Sequence, residues 1–493
     1  MPEAVSPRSS VRRVRKGVIM RRFRIERSLM GTMFVLALSS RVVLATEPAG
    51  GEMSSPASDW LIATIDATRE VGYNVSVATD PVTGHHYISY YEGDDGDLWL
   101  ARTGAPTGNC GPGNTWECQV IDSAGVVGKY SSIAVGGPFG LPETVLYIAY
   151  HDVTNGSLKV MEGTVERWTG NLSYTTYVIE SGDPGSDLYM GTRTSVDVVG
   201  LGTAHIAYQS HVGPVQAVKY ARRVDPGTGN CGEGPGSGYW ACSQVQLDIG
   251  IGDFIDIELG PTAVPNIAFS TTGDTHAYPM IAHLVPSGGS CNNSDLWECS
   301  PIRHSLNSDD TGGYLSFKIT PGGVKHLAYR NATMESLEWA KYVGLQVGNC
   351  GPQNRYQCSW IDHIGPGTSP SGIAIDTDNS SEPIIAYQDL ESGYEDLKIA
   401  RPLDATPWAP AGNCGPADMW LCETLEEGSL AHSYAYGGLS ITMNASGEAA
   451  VAYRELWGVP PTDGRLKIGF EPFPIFVDGF ETGDTTRWST TAP

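Results

Sequence analysis

The sequence predicts an all-β fold, a seven-bladed β-propeller of four-stranded antiparallel blades, and three observations carry that expectation. The first is a repeat. A short strand-like segment ending in an aromatic recurs seven times, at Tyr90, Tyr150, Tyr208, Phe269, Tyr329, Tyr387 and Tyr453, with intervals of 60, 58, 61, 60, 58 and 66 residues. Constant spacing of this length marks one supersecondary unit per period. The second is composition: 60 glycines, 32 prolines and only 17% charged residues, with no sustained helical periodicity, describe short strands joined by turns. The third is the ring itself, which leaves only short, protected strand edges.

One period, residues 72 to 122, shows the four strands. "YNVSVAT" alternates as strand A, "HHYISYYE" reads as strand B, "DLWLAR" as strand C and "WECQVID" as strand D, each separated by Gly, Asp, Pro or Asn. Strands B and C are apolar on both faces in most copies, as sheets stacked between neighbours must be. Trp116, Trp168, Trp240, Trp297, Tyr356 and Trp420 are expected to open six copies of strand D. The seventh repeat runs through "RLKIGF" and then leaves the pattern, so its outer strand is expected from the N-terminal side, where "WLIATID" (Trp60 to Asp66) matches "WECQVID".

The cysteines follow the same period. All ten form close pairs, Cys110/Cys118, Cys231/Cys242, Cys291/Cys299, Cys350/Cys358 and Cys414/Cys422, each with an aromatic two residues before the second cysteine. On a strand that spacing puts the aromatic and the cysteine on one face. Each pair is read as a staple across the C–D hairpin, implying an oxidising compartment; the copy "GGSCNNSDLWEC", which ends at Cys299, keeps the plan with a changed turn. Zinc would need shorter spacing or histidine partners, so no metal is expected at the cysteines.

Ahead of the repeats, residues 1–29 hold nine basic residues and lead into the apolar run "LMGTMFVLALSS". This order predicts a signal peptide over 1–45, with an uncleaved anchor as the competing reading. A linker (46–57), the propeller (58–471) and a tail (472–493) follow. Residues 1–45 contain ten basic and two acidic side chains, so their removal leaves 21 positive against 53 negative ones, a net of −32. Such a chain repels polyanions, which argues against nucleic acid and anionic membranes as partners. No stable membrane span is expected after cleavage, and the mature chain is expected to be secreted or at the cell surface as a monomer.

The phrases "GKYSSIAV", "IAYHDVTNGSLKV" and "IAYQDLESGYEDLKIAR" resemble repeats of uncharacterised secreted bacterial β-propeller proteins, over about residues 58 to 470. "IFVDGFETGDTTRWS" is similar to a short tail at the ends of many bacterial exported proteins; the resemblance implies a bacterial source and a sorting or processing role, with simple packing on the rim as the alternative. Sialidase Asp-boxes, WD40 signatures and kelch glycine pairs are absent from the sequence.

In a four-stranded meander the B–C and D–A connections share one face, opposite the stapled C–D turns. The residue after each recurring aromatic is polar in every blade: Tyr91, His151, Gln209, Ser270, Arg330, Gln388 and Arg454. These positions are expected to open the B–C loops and to ring the channel. With Asp152 and Glu455 as ionisable neighbours, and Tyr130 and Arg193 at the start of strand A, they form the candidate ligand-binding set. Catalytic residues are not identifiable, no cofactor is expected, and the acidic run Asp94, Asp95, Asp97 resembles part of a calcium loop without its full ligand spacing. The leading functional reading is a secreted module binding a glycan or an extracellular protein through the B–C face. A polysaccharide hydrolase or lyase, and a structural or adhesive surface module, are the alternatives.

Overall fold

A computed structural model describes residues 60–471, apart from 138–141, 201, 250, 272–276, 292–295, 303–310, 366–371, 392–394, 404–411, 429–431 and 459–462. The expected signal peptide, linker and C-terminal tail therefore lie outside the described residues. The described residues hold 28 strands in seven four-stranded antiparallel sheets, and the chain is a seven-bladed β-propeller. Its strands A to D are Tyr73–Thr79, His86–Tyr91, Leu98–Arg102 and Glu117–Asp122 in blade 1, and Val127–Gly136, Glu143–Asp152, Ser157–Glu166 and Leu172–Glu180 in blade 2. Blade 3 has Leu188–Val199, Thr203–Val212, Val215–Arg223 and Trp240–Ile249; blade 4 has Ile251–Leu259, Pro265–Thr271, Tyr278–Leu284 and Trp297–Pro301. Blade 5 follows with Thr311–Ile319, Lys325–Asn331, Ser336–Tyr342 and Tyr356–His363, and blade 6 with Ile373–Thr377, Pro383–Asp389, Asp396–Pro402 and Trp420–Glu426. Blade 7 takes His432–Met443, Ala449–Trp457 and Asp463–Phe470 from the end of the propeller, and its strand D, Leu61–Asp66, from the beginning. That strand pairs antiparallel with Asp463–Phe470, Leu61 opposite Phe470, and closes the ring. Among the described residues helix is confined to five three-residue 3-10 turns, and no helix is long and apolar enough to cross a membrane.

The recurring aromatic is a joint between blades. Tyr90 donates to Asp66 (3.0 Å), Tyr150 to Asp122 (2.6 Å), Tyr208 to Glu180 (2.5 Å) and Tyr387 to Asp362 (2.6 Å), and Tyr453 donates to Glu426. In each case the carboxylate stands at or next to the end of strand D of the preceding blade. Lysines on strand C complete four of these joints, Lys159 with Asp122, Lys219 with Glu180, Lys398 with Asp362 and Lys467 with Glu426. Buried phenols need such partners. Where the aromatic is Phe269, which has no hydroxyl, the carboxylate position holds Gln246.

A second set of bonds stitches the channel wall. The backbone N–H of each strand A bonds a side chain of the preceding strand A: Ile133 to Ser76, Val196 to Ser132, Ile257 to Ser195, Phe317 to Asp256 and Ile375 to Ser316, with Val77 to Ser440 across the closure. At the remaining boundary Ala374 has no acceptor to offer, and Asp376 accepts from the N–H of Met443 instead, at 2.9 Å.

The five expected disulfides are present, Cys110–Cys118, Cys231–Cys242, Cys291–Cys299, Cys350–Cys358 and Cys414–Cys422, each across its C–D hairpin. The asparagine before the first cysteine explains the recurring "GNC": Asn109 accepts from the N–H of Cys118 and donates to its carbonyl, as Asn230, Asn349 and Asn413 do for Cys242, Cys358 and Cys422.

Cys299 departs from this common staple. Its pair is bridged as expected, but Ser290 replaces the asparagine, and one hydroxyl takes both roles, accepting from the Cys299 N–H at 3.1 Å and donating to its carbonyl at 3.2 Å. The shorter side chain draws the arms together: Cys291 and Cys299 have Cα atoms 4.8 Å apart, against 5.9 to 6.0 Å in the other four pairs. Trp297 is fully buried, whereas Cys299, two residues along the same strand, is half-buried, with its sulfur 3.8 Å from Gln246 Oε1 of blade 3. Alternation places both side chains on one face of the sheet, as expected, and the same difference in cover recurs at Trp240 and Cys242, Tyr356 and Cys358, and Trp420 and Cys422.

Another expectation fails in blade 2. Trp168 does not open strand D; it sits 86% exposed in the C–D turn, and the strand begins at Leu172. This blade carries no disulfide, and without the bridge its hairpin is a tight turn closed by Gly170 N–H on the Glu166 carbonyl.

Candidate functional site: the channel mouth on the B–C face

The mouth is built by a bulge repeated at the start of strand A. The A–B register shifts between Tyr73 and Ser76, Lys129 and Ser132, Met190 and Thr194, Ile251 and Ile255, Gly313 and Leu315, and Tyr434 and Leu439. Bulges re-aim side chains. Here the residue preceding the one opposite each recurring aromatic lines the channel: Asn74, Tyr130, Arg193, Phe254, Tyr314, Gly372 and Gly438. Asn74, Tyr130 and Tyr314 hold left-handed backbone, with φ of 50°, 56° and 51°. For a tyrosine this conformation costs on the order of 1–2 kcal/mol, and such strain concentrates at binding sites. A glycine two residues earlier lets the bulge press on the preceding blade. A Cβ on Gly128 would stand 2.7 Å from Leu98 Cα, and one on Gly312 would stand 2.5 Å from Pro279 N.

The ring is lopsided. On one side Arg193 lies 4.2 Å from the centroid of Tyr130, and Phe254 packs against Tyr314 with centroids 4.3 Å apart. On the other side stand Gly372 and Gly438. The resulting cavity of about 780 Å³ is also lined by Glu70, Tyr73, Tyr91 and Lys129, a volume suited to a small ligand or the end of a larger one. From Tyr130 a line of rings runs outward over blade 3, through His151 (6.4 Å) and Tyr189 (6.5 Å) to His211 (4.6 Å).

Of the residues expected from sequence, Tyr91, Tyr130 and Arg193 line this cavity. The others do not open loops. Strand B continues past the recurring aromatic, and its polar residues are buried wedges between blades: His151, Asp152, Gln209, Ser270, Arg330, Gln388, Arg454 and Glu455 are all at most 5% exposed. His151 Nδ1 bonds the Met190 carbonyl of the next blade at 2.7 Å, and burial holds its pKa below the ordinary value against the pull of the Met190 and Ser157 carbonyls. Gln209 accepts from Thr192 at 2.7 Å, Ser270 accepts from the N–H of Phe254 at 3.2 Å, and Arg330 reaches the Gly365 carbonyl at 3.5 Å. The backbone N–H of Gln388 bonds the Gly372 carbonyl at 3.0 Å. Arg454 crosses the ring closure, pairing with Glu70, donating to the Val71 carbonyl at 3.3 Å and lying 3.5 Å from the Tyr73 centroid. Asp152 caps the Asn155 turn at 2.9 Å, and Glu455 lies 3.8 Å from Lys467. The three arginines thus do not converge: Arg193 is at the mouth, while Arg330 and Arg454 are in different blade boundaries.

Sequence reasoning passed over Asn74, Phe254 and Tyr314. Their signal is a Gly-x-large pattern at the blade period, "GYN", "GKY", "GTR", "GDF" and "GGY", ending at Asn74, Tyr130, Arg193, Phe254 and Tyr314.

Beneath the mouth the channel walls carry Asp197, Asp256, Glu258, Lys318 and Asp376. Lys318 Nζ lies 3.1 Å from Glu258 and 3.4 Å from Asp376. Burial pushes Glu258 well above the usual carboxylate range and raises Asp197 and Asp256, with Lys318 opposing each shift only in part. Burial lowers the Lys318 ammonium, but the attraction of Asp376, Glu258 and Asp197 outweighs it and holds the group well above its ordinary value. In the B–C loop of blade 1, Glu92, Asp95 and Asp97 bring carboxylate oxygens within 4.8 Å of one another. Glu92 accepts from the N–H groups of Asp94 and Asp95, and Asp95 pairs with Arg69, so two of the three are engaged within the turn.

No family profile matches the chain, and no curated protein matches it. Among solved structures it is similar to the polysaccharide lyase Uly1, at 11% identity and a TM-score of 0.42, over 86% of this chain and 92% of that one. It is also similar to the fucose-recognising fungal lectin of Aleuria aurantia, a six-bladed β-propeller, at 12% identity and a TM-score of 0.36, over 72% and 98%. A third likeness is the haemagglutinin-neuraminidase of parainfluenza virus 5, at 8% identity and a TM-score of 0.38, over 83% and 91%.

Proposed function

We propose that the chain is a secreted glycan-binding propeller whose site is the channel mouth on the B–C face. The observation that carries this reading is the lopsided ring. Tyr130, Phe254 and Tyr314 offer aromatic surface with polar groups beside it, and Gly372 and Gly438 leave room opposite. Sugar rings present apolar C–H faces and hydroxyl edges together, and an amphipathic aromatic wall in a concave site complements both. The strained backbone at Tyr130 and Tyr314 aims two of these rings inward at a cost to stability. Five disulfides fit work in an oxidising compartment, reached through the expected export signal.

The reading favours binding over hydrolysis because glycosidases use paired carboxylates. Among the described residues one carboxylate, Glu70, lines the mouth, and it is tied to Arg454, Tyr73 and the N–H of Gly464. The test is a polysaccharide array followed by titration of the positives. Tyr314→Ala with Tyr130→Ala should reduce affinity at least tenfold, about 1.4 kcal/mol. Asn114→Asp with Asn354→Asp, exposed in the stapled turns of the other face, should leave it unchanged. The reverse pattern would move the recognition surface to the stapled face.

A further inference from the structure

We infer that the saccharide taken at this mouth is anionic, with its carboxylate or sulfate group seated between Lys129 and Arg193. The inference rests on the glycan reading above and narrows it to a ligand class. Among the described residues, the charged side chains lining the mouth are Glu70 and these two cations. Glu70 is matched by the buried Arg454, with which it forms an ion pair, so it does not offset them. Lys129 is half-buried and has no carboxylate at ion-pair distance among the described residues; its ammonium lies 5.4 Å from the Tyr91 centroid. Arg193 lies flat on Tyr130 with one Nη donating to the Thr192 carbonyl at 2.7 Å, which fixes the guanidinium beside the cavity.

A local excess of positive charge is the exception on this molecule, whose residues beyond 45 carry 53 acidic side chains against 21 basic ones. An anion is therefore repelled by most of the surface and attracted at one concave place, where low-dielectric walls concentrate the field. The channel floor sharpens the geometry. Lys318 there is outnumbered by the carboxylates around it, so an anionic chain is kept from threading the channel and lies across the mouth.

The experiment titrates the full chain, by calorimetry, with three probes: oligogalacturonate for a carboxylate, a dextran sulfate oligosaccharide for a sulfate, and neutral xylan and arabinan oligosaccharides. Titrations run at about 50 mM and about 500 mM salt, which span Debye lengths of roughly 14 to 4 Å. The expected result is that at least one anionic probe binds, that its affinity falls at least tenfold at high salt, and that Lys129→Gln and Arg193→Gln each weaken it about tenfold while Lys129→Arg retains it. The probe preferred, oligogalacturonate or dextran sulfate, identifies the source of the anion. Binding confined to neutral probes would overturn the anionic inference and leave the glycan reading standing. Anionic binding indifferent to both substitutions would also overturn it. If no saccharide binds at either salt, the glycan reading and the inference fall together. Unchanged thermal melts of the variants establish that the ring is intact in each arm.

Discussion

Replacing Arg454 by alanine tests whether the residue after the recurring aromatic is a loop side chain or a structural wedge. Were it on an exposed loop, substitution would change stability by less than about 0.5 kcal/mol. In the structure its side chain is 1% exposed, pairs with Glu70, bonds the Val71 carbonyl and covers the Tyr73 ring at the boundary where blade 7 meets blade 1. Removing one partner of a buried pair costs about 3–5 kcal/mol. Glu70 is 22% exposed and can recover some hydration, which favours the lower part of that range, while the lost cation–π contact adds back about 1 kcal/mol. With an unfolding entropy of about 2.1 cal/mol/K per residue over roughly 400 residues, 4 kcal/mol lowers Tm by about 5 °C. The assay is thermal unfolding followed by tryptophan fluorescence. Adding Glu70→Gln to Arg454→Ala removes the stranded charge and should recover on the order of 1–2 kcal/mol as a coupling energy. A Tm within about 1 °C of the parent, or a double variant no better than the single one, would refute the clamp.

Five further outcomes follow from the same structure. Tyr208→Phe removes the hydroxyl that joins blades 2 and 3 and should cost about 1–2 kcal/mol in chemical denaturation, because Glu180 keeps Lys219 but loses a donor. Burial holds His86, His205 and His326 down at about 4, so the stability they contribute is complete above their unfolded value near 6.5 and is lost as pH falls towards 4; melts across that range should show a steep acid decline. Glu258 has the opposite sign, since its raised folded value gives stability that is lost as pH rises from its unfolded value near 4.5 through the raised folded one, and Glu258→Gln should flatten that decline. Reducing the five bridges should lower Tm by removing about 2–3 kcal/mol per staple without opening the ring, whereas deleting residues 46–66 removes strand D of blade 7 and should leave no cooperative melt.

The fold was legible because each of its devices leaves a mark at the blade period. The aromatics of strand B, the closing strand at Leu61–Asp66 and the cysteine pairs all repeat or complete a pattern, and one unit read correctly extends to the rest. Trp168 misled because it is an aromatic with no cysteine beside it: it follows Tyr150 by 18 residues, against 26 to 33 in the other five copies, and lies in the tighter turn of a hairpin without a disulfide. Cys299 shows the limit of extension within the pattern: its partner was legible from spacing, but its contact with Gln246 of the preceding blade was not, because spacing along one strand says nothing about what packs across it. Even the exceptions carry information. Phe269, which has no hydroxyl, meets Gln246 where the other joints have a carboxylate, so the joint residues change together in sequence.

The site was less legible because polarity has two meanings at a blade boundary. A polar residue following a buried strand reads as the start of a loop, yet in stacked blades the same residue serves the backbone groups of its neighbour, as His151 does for Met190 and Arg454 for Val71. Burial between sheets cannot be told from exposure by residue type when buried polar groups find their partners across a blade boundary. Conversely, Phe254 and Tyr314 resemble core residues in sequence and are carried into the channel only by a backbone shift of strand A. The glycine preceding each bulge is the trace of that shift. A Gly-x-large pattern in five of the seven blade periods is therefore the better guide to the mouth than the polar residue after the aromatic, and the ring positions of the other two blades, Gly372 and Gly438, mark where the ligand has room.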